Sequence, residues 1–323
     1  MEVLRCFQKY ERFFKMTRNK IRGVIFGQAI GDALGLGAEF MSKADVHRNY
    51  PNGLTDYSQI ISDWHRNRWQ RGEWTDDTDM MLCILQSYIR KRCVDYKDIA
   101  ELFYEWAHGT PRGIGRTTLN VLSFGDYTDE PQKAAELVWN LSGKRQASNG
   151  GIMRTSIVGC LKEKVTVHAE NICRLTHYDP RCVGSCVIIS EIVHALVYSS
   201  ESLSYEDIVD IADDYDCEIR KYVDMAYHDD LDSLHLDEQG KIGYTLKTLG
   251  SALWAYWHAM TFEDGLLQVV NQGGDADTNA AVAGAVLGAK FGCDSIPTHL
   301  LNGLRRESVL SNHIDHFLVA LKL

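Results

Sequence analysis

The sequence predicts an all-α fold. Only five prolines occur in 323 residues, apolar residues recur at the 3.6-residue helical period in several long runs, and few runs show the alternation of a half-buried strand. No low-complexity linker and no boundary between basic and acidic halves interrupts the chain. It therefore reads as a single domain over residues 17–323, with residues 1–16 an appended helix or tail.

Taken in order, residues 23–40 read GVIFGQAIGDALGLGAEF, with glycines at 23, 27, 31 and 35. On a helix these form one smooth strip, suited to close approach by another helix or by a ligand. Asp32 and Glu39 are its charges, and Glu39, just past the helix end, faces either a cation or solvent. Residues 72–86, GEWTDDTDMMLCILQ, place Thr75, Asp76 and Asp77 directly before a helical apolar run. Residues 98–107 put Ile99, Leu102, Phe103 and Trp106 on one face. GTPRGIGRTT, 109–118, is a glycine-rich loop with Arg112 and Arg116 available to phosphates. ASNGGIMRTS, 147–156, is a second such loop entering a helix, where the N–H groups of Asn149, Gly150, Gly151 and Ile152 suit an anion and Arg154 stands nearby. The run 183–198 is apolar nearly all round and predicts a central buried helix, as does 245–260. Residues 273–284, GGDADTNAAVAG, set Asp275, Asp277 and Thr278 before another apolar helix.

Net charge is −10 and the isoelectric point about 5.6, which argues against general binding of nucleic acid or anionic membranes. The acidity is local. Residues 201–240 hold 14 acidic side chains against Arg220 and Lys221, whereas the remaining chain has 32 basic and 30 acidic groups. Within that segment Ile208, Ile211, Tyr215, Ile219, Tyr222 and Val223 recur at helical spacing, predicting an amphipathic helix with a solvated acidic face. Nine cysteines without a CxxC pair point to reduced thiols rather than disulfides or zinc. The first residues lack an apolar signal core, and 23–40 and 279–293 are too short and interrupted to span a membrane. A cytoplasmic protein, monomeric, is the expectation.

Two helices thus begin with the same groups, a pair of carboxylates and a threonine hydroxyl. Each alone is ordinary helix-capping chemistry. If the two starts converge, four carboxylates meet and repel unless a cation sits among them, and an all-oxygen donor set selects Mg²⁺, Mn²⁺ or Ca²⁺ over zinc. Two familiar motifs are excluded. An EF-hand beginning at Asp275 would need glycine where Ala280 stands and glutamate where Val286 stands. A DxDxT phosphatase nucleophile closes the first strand of a sheet, and the 46 residues after Asp277 leave no room for one.

The order GDALG to Glu39, WTDDT, SNGGIMR, LTHYDPR (175–181) and GGDADTNAA resembles the ADP-ribosylglycohydrolase family over roughly residues 19–295. The resemblance implies a compact orthogonal helical bundle with a binuclear cleft for two Mg²⁺ or Mn²⁺ ions. It makes Thr75, Asp76, Asp77, Asp275, Asp277 and Thr278 metal ligands, with Asp277 bridging. It gives Asn149–Met153 (with Gly150, Gly151 and Ile152) to the diphosphate, His177 to the adenosine end, and the loop of Gly113 and Gly115 to the acceptor side. Gly113 stands where the nitrogenase-reactivating members of the family carry an aspartate. The catalytic carboxylate is then to be found among Asp32, Glu39, Asp76 and Asp77. The implied reaction is hydrolysis at C1″ of the distal ribose through an oxocarbenium-like state. The substrate is an ADP-ribosylated protein, arginine-linked first. The alternatives are another linkage or a small ADP-ribose metabolite, and a non-catalytic binding member of the fold.

Overall fold

Fifteen α-helices and several 3₁₀ turns account for the architecture of the computed structural model, which describes residues 2–199 and 202–323. In chain order the helices are α1 (Glu2–Gly35), α2 (Lys43–Asn49), α3 (Asp76–Lys91), α4 (Tyr96–His108), α5 (Arg116–Leu122), α6 (Pro131–Leu141), α7 (Val165–Cys173) and α8 (Pro180–Tyr198). There follow α9 (Tyr205–Asp213), α10 (Cys217–His228), α11 (Thr245–His258), α12 (Phe262–Val270), α13 (Ala276–Phe291), α14 (Thr298–Gly303) and α15 (Glu307–Ala320). No β-strand occurs among the described residues; one isolated bridge pairs Ser148 with Tyr244. Residues 2–16 continue into α1 without a break.

The glycine strip is a helix-packing seam. A Cβ at Gly23, Gly27, Gly31 or Gly35 would lie 2.2, 2.1, 2.0 or 2.4 Å from the carbonyl oxygens of Gly288, Gly284, Ala280 and Ala276 in turn. The descending partner numbers show that α1 runs antiparallel to α13, at a separation only glycine permits. This contact brings Asp32, one turn before the end of α1, against the start of α13.

The buried helices lie where the apolar runs predicted them. In α8 every residue from Cys182 to Ser190 is buried, and Asp179 caps its first turn while Pro180 takes the first helical position. This helix is long and apolar enough to cross a membrane, but 78% of its apolar window is buried inside the protein, as a core helix requires. In α11 all residues from Thr245 to Tyr256 are buried. In α4, Ile99 and Phe103 face the core, with Leu102 and Trp106 half-buried at its margin. The eight cysteines with described side chains are all free.

The acidic segment departs from expectation. It is two helices, α9 and α10, broken at Asp214–Asp216, not one. Asp214 is the C-cap of the first, and Asp216 caps the second by accepting the N–H of Glu218. Short acidic side chains bond to nearby backbone and compete with helix propagation, so the common apolar period concealed a turn. Ile208, Ile219 and Val223 are still buried.

Candidate metal and substrate cleft

α3 and α13 begin side by side because both pack on α1. Asp32 reaches from α1 to the start of α3, accepting the Thr75 N–H at 2.9 Å, the Thr78 N–H at 3.0 Å and the Thr78 hydroxyl at 2.6 Å. Capping of α3 is therefore done by a residue of another helix. Thr75 and Asp275 occupy the N-cap positions of α3 and α13, yet neither makes a side-chain capping bond. Simple capping does not explain why these residues are there.

What remains is a donor set. Asp32, Asp77 and Asp277 each offer an oxygen within 4.8 Å of the others, and Glu39, Asp275 and Asp277 do the same, so Asp277 belongs to both groups. Thr278 joins the two helix starts, its hydroxyl donating to Asp77 Oδ1 at 3.2 Å. Asp76 lies outside both groups but lines the cleft with Thr75, facing Gly113. Thr75 Oγ1 and Asp77 Oδ2 are buried with no hydrogen-bond partner among the described residues. Two orphaned oxygens among crowded carboxylates are costly in a folded protein unless a cation accepts them. The residues present thus fit hard divalent cations.

The electrostatics agree. Burial, then neighbouring carboxylates, pushes Asp77 and Asp277 well above the usual carboxylate range. Asp76 is pushed up to about 7 by burial and the charges of Glu39, Asp275 and Asp79, and Asp275 to about 6 by burial and Glu39. Asp32 reaches about 7 because burial outweighs its three hydrogen bonds from α3. So many anions in one buried space hold protons or a cation.

Across the cleft lies the loop that closes before the 3₁₀ turn Ile152–Arg154. Asn149 Nδ2 donates to Asp275 Oδ2 at 2.6 Å and to Thr248 Oγ1 at 3.1 Å, and Thr248 donates onward to Asn279 at 2.7 Å. Gln28 of α1 ties both halves together, donating to the carbonyls of Asp77 (3.2 Å) and Met153 (2.9 Å). The loop enters 3₁₀ turns rather than an α-helix. Asn149, Gly150, Met153 and His177 line the cleft, as do Gly113 and Gly115. Gly151 and Ile152 stand behind it. A Cβ on Gly151 would press on Cys173 Sγ at 3.0 Å, and Ile152 is fully buried.

Arg154 does not face a phosphate. It is fully buried over the Phe103 ring at 4.6 Å, donating to the Gly150 carbonyl (2.8 Å), the Ile172 carbonyl (3.1 Å) and Thr176 Oγ1 (2.7 Å). Because Thr176 accepts from Arg154, its own proton is free for His177 Nδ1 at 2.7 Å. His177 Nε2–H then donates to Ser148 Oγ at 2.9 Å, and Ser148 to Thr117 at 2.8 Å. Burial, aided by Arg154, pushes His177 down to about 3, so the wall of the cleft is a neutral imidazole in a fixed tautomer. Arg112 is also occupied, paired with Glu73 and set over Trp69 at 5.8 Å. Arg116, exposed at the mouth, has no ion pair among the described residues and is a cation open to an anionic ligand.

The cavity enclosed by these groups is about 480 Å³. Its rim was not legible in the sequence: His65, Arg68 and Trp69 line it from a loop with no periodic pattern. Gly273 and Gly274, at φ of 72° and 70°, turn the chain into α13; a Cβ on Gly274 would lie 2.1 Å from the Leu236 carbonyl oxygen.

The family profile for ADP-ribosylglycohydrolase matches residues 15–322. The chain is 29% identical over 311 residues to ADP-ribosylarginine hydrolase Tri1 of Serratia proteamaculans, covering 91% of this chain and 77% of that protein. It is 28% identical to ADP-ribosyl-[dinitrogen reductase] glycohydrolase of Rhodospirillum rubrum, over 89% of this chain and 91% of that one. ADP-ribosylhydrolase ARH3 of Danio rerio is 24% identical, covering 86% and 85%. A solved ADP-ribosylglycohydrolase-related protein complex shares the fold, with a TM-score of 0.76 at 24% identity over 95% of this chain and 99% of that one. With a match over nearly its whole length, and with these relatives, the protein belongs to the ADP-ribosylglycohydrolase family and is an enzyme of the ADP-ribosyl hydrolase class.

Proposed function

We propose that this enzyme is a divalent-cation-dependent hydrolase that releases ADP-ribose from arginine side chains of modified proteins. The observation that carries the reading is the buried carboxylate set shared by two helix starts, with orphaned Thr75 and Asp77 oxygens, on the floor of a cleft walled by a neutral His177. Thr75, Asp76, Asp77, Asp275, Asp277 and Thr278 would hold two Mg²⁺ or Mn²⁺ ions, which when bound polarise ligand oxygens and acidify water. Ser148, Asn149, Gly150 and Met153 provide a wall for the nucleotide, and Arg116 at the mouth suits the diphosphate. In the reaction a water oxygen bonds to C1″ and the C1″–N bond breaks, its electron pair passing to the guanidine nitrogen. The water's proton ends on that nitrogen. Glu39, in the cleft, is the carboxylate we assign to move it, with Asp76 and Asp77 the remaining candidates.

One observation favours a second reading, a serine-linked or small-molecule ADP-ribose substrate. Gly113 offers no carboxylate to a guanidinium, and a Cβ there would lie 2.9 Å from Asp76 Oδ1. Mass spectrometry of products from arginine-, serine- and acid-linked ADP-ribosyl peptides separates the two. Turnover confined to the arginine linkage supports the first, and turnover confined to another linkage replaces it.

Gly113→Asp is expected to raise kcat/KM several-fold for arginine-linked over serine-linked peptide, since a carboxylate pairs with the guanidinium as it leaves. An equal fall for both peptides would show only a disturbed loop. Gly150→Val is expected to displace His177 and Thr118, whose atoms lie 2.8 and 3.0 Å from the new Cβ, and to weaken ADP-ribose binding in calorimetry. Gly151→Val presses on buried thiols instead, so its effect should appear in Tm rather than in affinity.

The gain in Tm from added Mn²⁺ should grow as pH is raised from about 5.5 to about 8. Asp76 and Asp275 hold protons up to about 7 and about 6 in the fold, whereas the unfolded chain has released them above about pH 4. A cation must displace those protons, so its stabilisation is small below both values and full above them. A gain independent of pH would contradict carboxylate ligation at these residues.

A further inference from the structure

We infer that Arg68 and His65 form a positioning relay that holds Glu39 in the cleft as a hydrogen-bond acceptor. His65 and Glu39 are nearly buried, and His65 Nε2 lies 2.5 Å from Glu39 Oε2. The other ring nitrogen, Nδ1, lies 2.5 Å from Arg68 Nη2. A guanidinium has donors only, so Nδ1 must present its lone pair. The single proton of the imidazole then sits on Nε2 and is donated to Glu39. The relay runs one way, from guanidinium to imidazole to carboxylate, and Glu39 Oε1 makes no hydrogen bond to protein among the described residues.

Each member is held in place. Arg68 stacks on Trp69 at 4.4 Å, and donates to the His65 carbonyl at 3.2 Å and the Arg112 carbonyl at 2.9 Å. The last bond ties the relay to the loop that carries Gly113. The imidazole is flanked by Phe40, Trp64 and Trp69, with ring centroids 4.8, 5.5 and 5.5 Å away. Phe40 sits at φ 62°, a strained value for an aromatic residue, and its N–H is taken by the Gly274 carbonyl at 2.7 Å. Arg66 grips the backbone beneath, donating to the Glu39 carbonyl at 2.6 Å and the Gly37 carbonyl at 2.9 Å. Glu39 is thus fixed at its main chain and its side chain, and a carboxylate fixed as an acceptor is suited to take a proton from water. This consequence rests on the role proposed for Glu39 above; the relay itself does not.

The test compares His65→Met, which breaks both bonds, with His65→Gln, whose amide oxygen can accept from Arg68 while its NH₂ donates to Glu39. In the cation-loaded enzyme, His65→Met is expected to lower kcat at least about tenfold, with ADP-ribose affinity and Tm little changed, and His65→Gln to recover most of that loss. In a Glu39→Gln background, His65→Met should cost nothing further. Equal losses in the Met and Gln variants, or full additivity with Glu39→Gln, overturn the relay. An activity-independent readout is the ring ¹⁵N shifts of His65, expected to show an Nε2–H tautomer that is lost in Arg68→Met. An Nδ1–H tautomer in the wild type also overturns it. If the wild type cleaves no ADP-ribosyl peptide while the Nε2–H tautomer is found, the proposed reaction fails and the relay stands.

Discussion

Asp277→Ala is expected to abolish hydrolysis, by at least about a thousandfold, and to remove the stabilisation conferred by Mg²⁺ or Mn²⁺. Asp277 is the residue common to both oxygen groups, so its loss disturbs each of them. Ions that bind only the folded chain stabilise it by mass action, by about 2.7 kcal/mol at a hundred times Kd. That increment should vanish in thermal melts of the variant. Without added ions the variant should be as stable as the wild type or more so, because burial and four neighbouring carboxylates, those of Glu39, Asp275, Asp77 and Asp32, oppose ionisation of Asp277. The two effects have opposite signs and cannot both arise from a misfolded protein. Full activity of the wild type in excess EDTA would end the cation-dependent reading.

Gly31→Val is expected to destabilise the protein by at least about 3 kcal/mol, seen as a large fall in the urea midpoint or as failure to accumulate in soluble form. The new Cβ would lie 2.0 Å from the Ala280 carbonyl oxygen and 2.4 Å from its carbon, so α1 and α13 would have to separate. The strain falls on backbone, which cannot move aside as a side-chain tip can. Separation would also withdraw Asp32 from Thr75 and Thr78 and open the cleft floor. Gly125→Val is the control: no atom lies within 4 Å of its Cβ, and its midpoint should shift little. Equal effects at the two positions would mean that the seam does not hold the helices together.

The sequence by itself determined the helical class, the buried character of 183–198 and 245–260, and the pairing of two acidic helix starts. Those features are local: they rest on period, on composition and on the residues next to each other along the chain. Even the glycine strip carried a spacing that allowed only close packing or ligand approach, and the structure shows the former. What the sequence left open was every matter of direction. Asp32 caps a helix 43 residues away, and Thr278 reaches Asp77 across 201 residues; neither separation is encoded in a local pattern. Arg154 sat beside a glycine loop and suggested an anion, but the fold turns it inward to bind carbonyls under Phe103. Gly151 and Ile152 belong to the same loop as Gly150, and only the third faces the cleft. His65 and Arg68 gave no signal at all, because a rim loop has no period and its meaning lies in contacts with Glu39 and Arg112. Helices follow from backbone and neighbouring side chains, whereas the convergence of carboxylates follows from how α1 lies against α13, a choice made by tertiary packing.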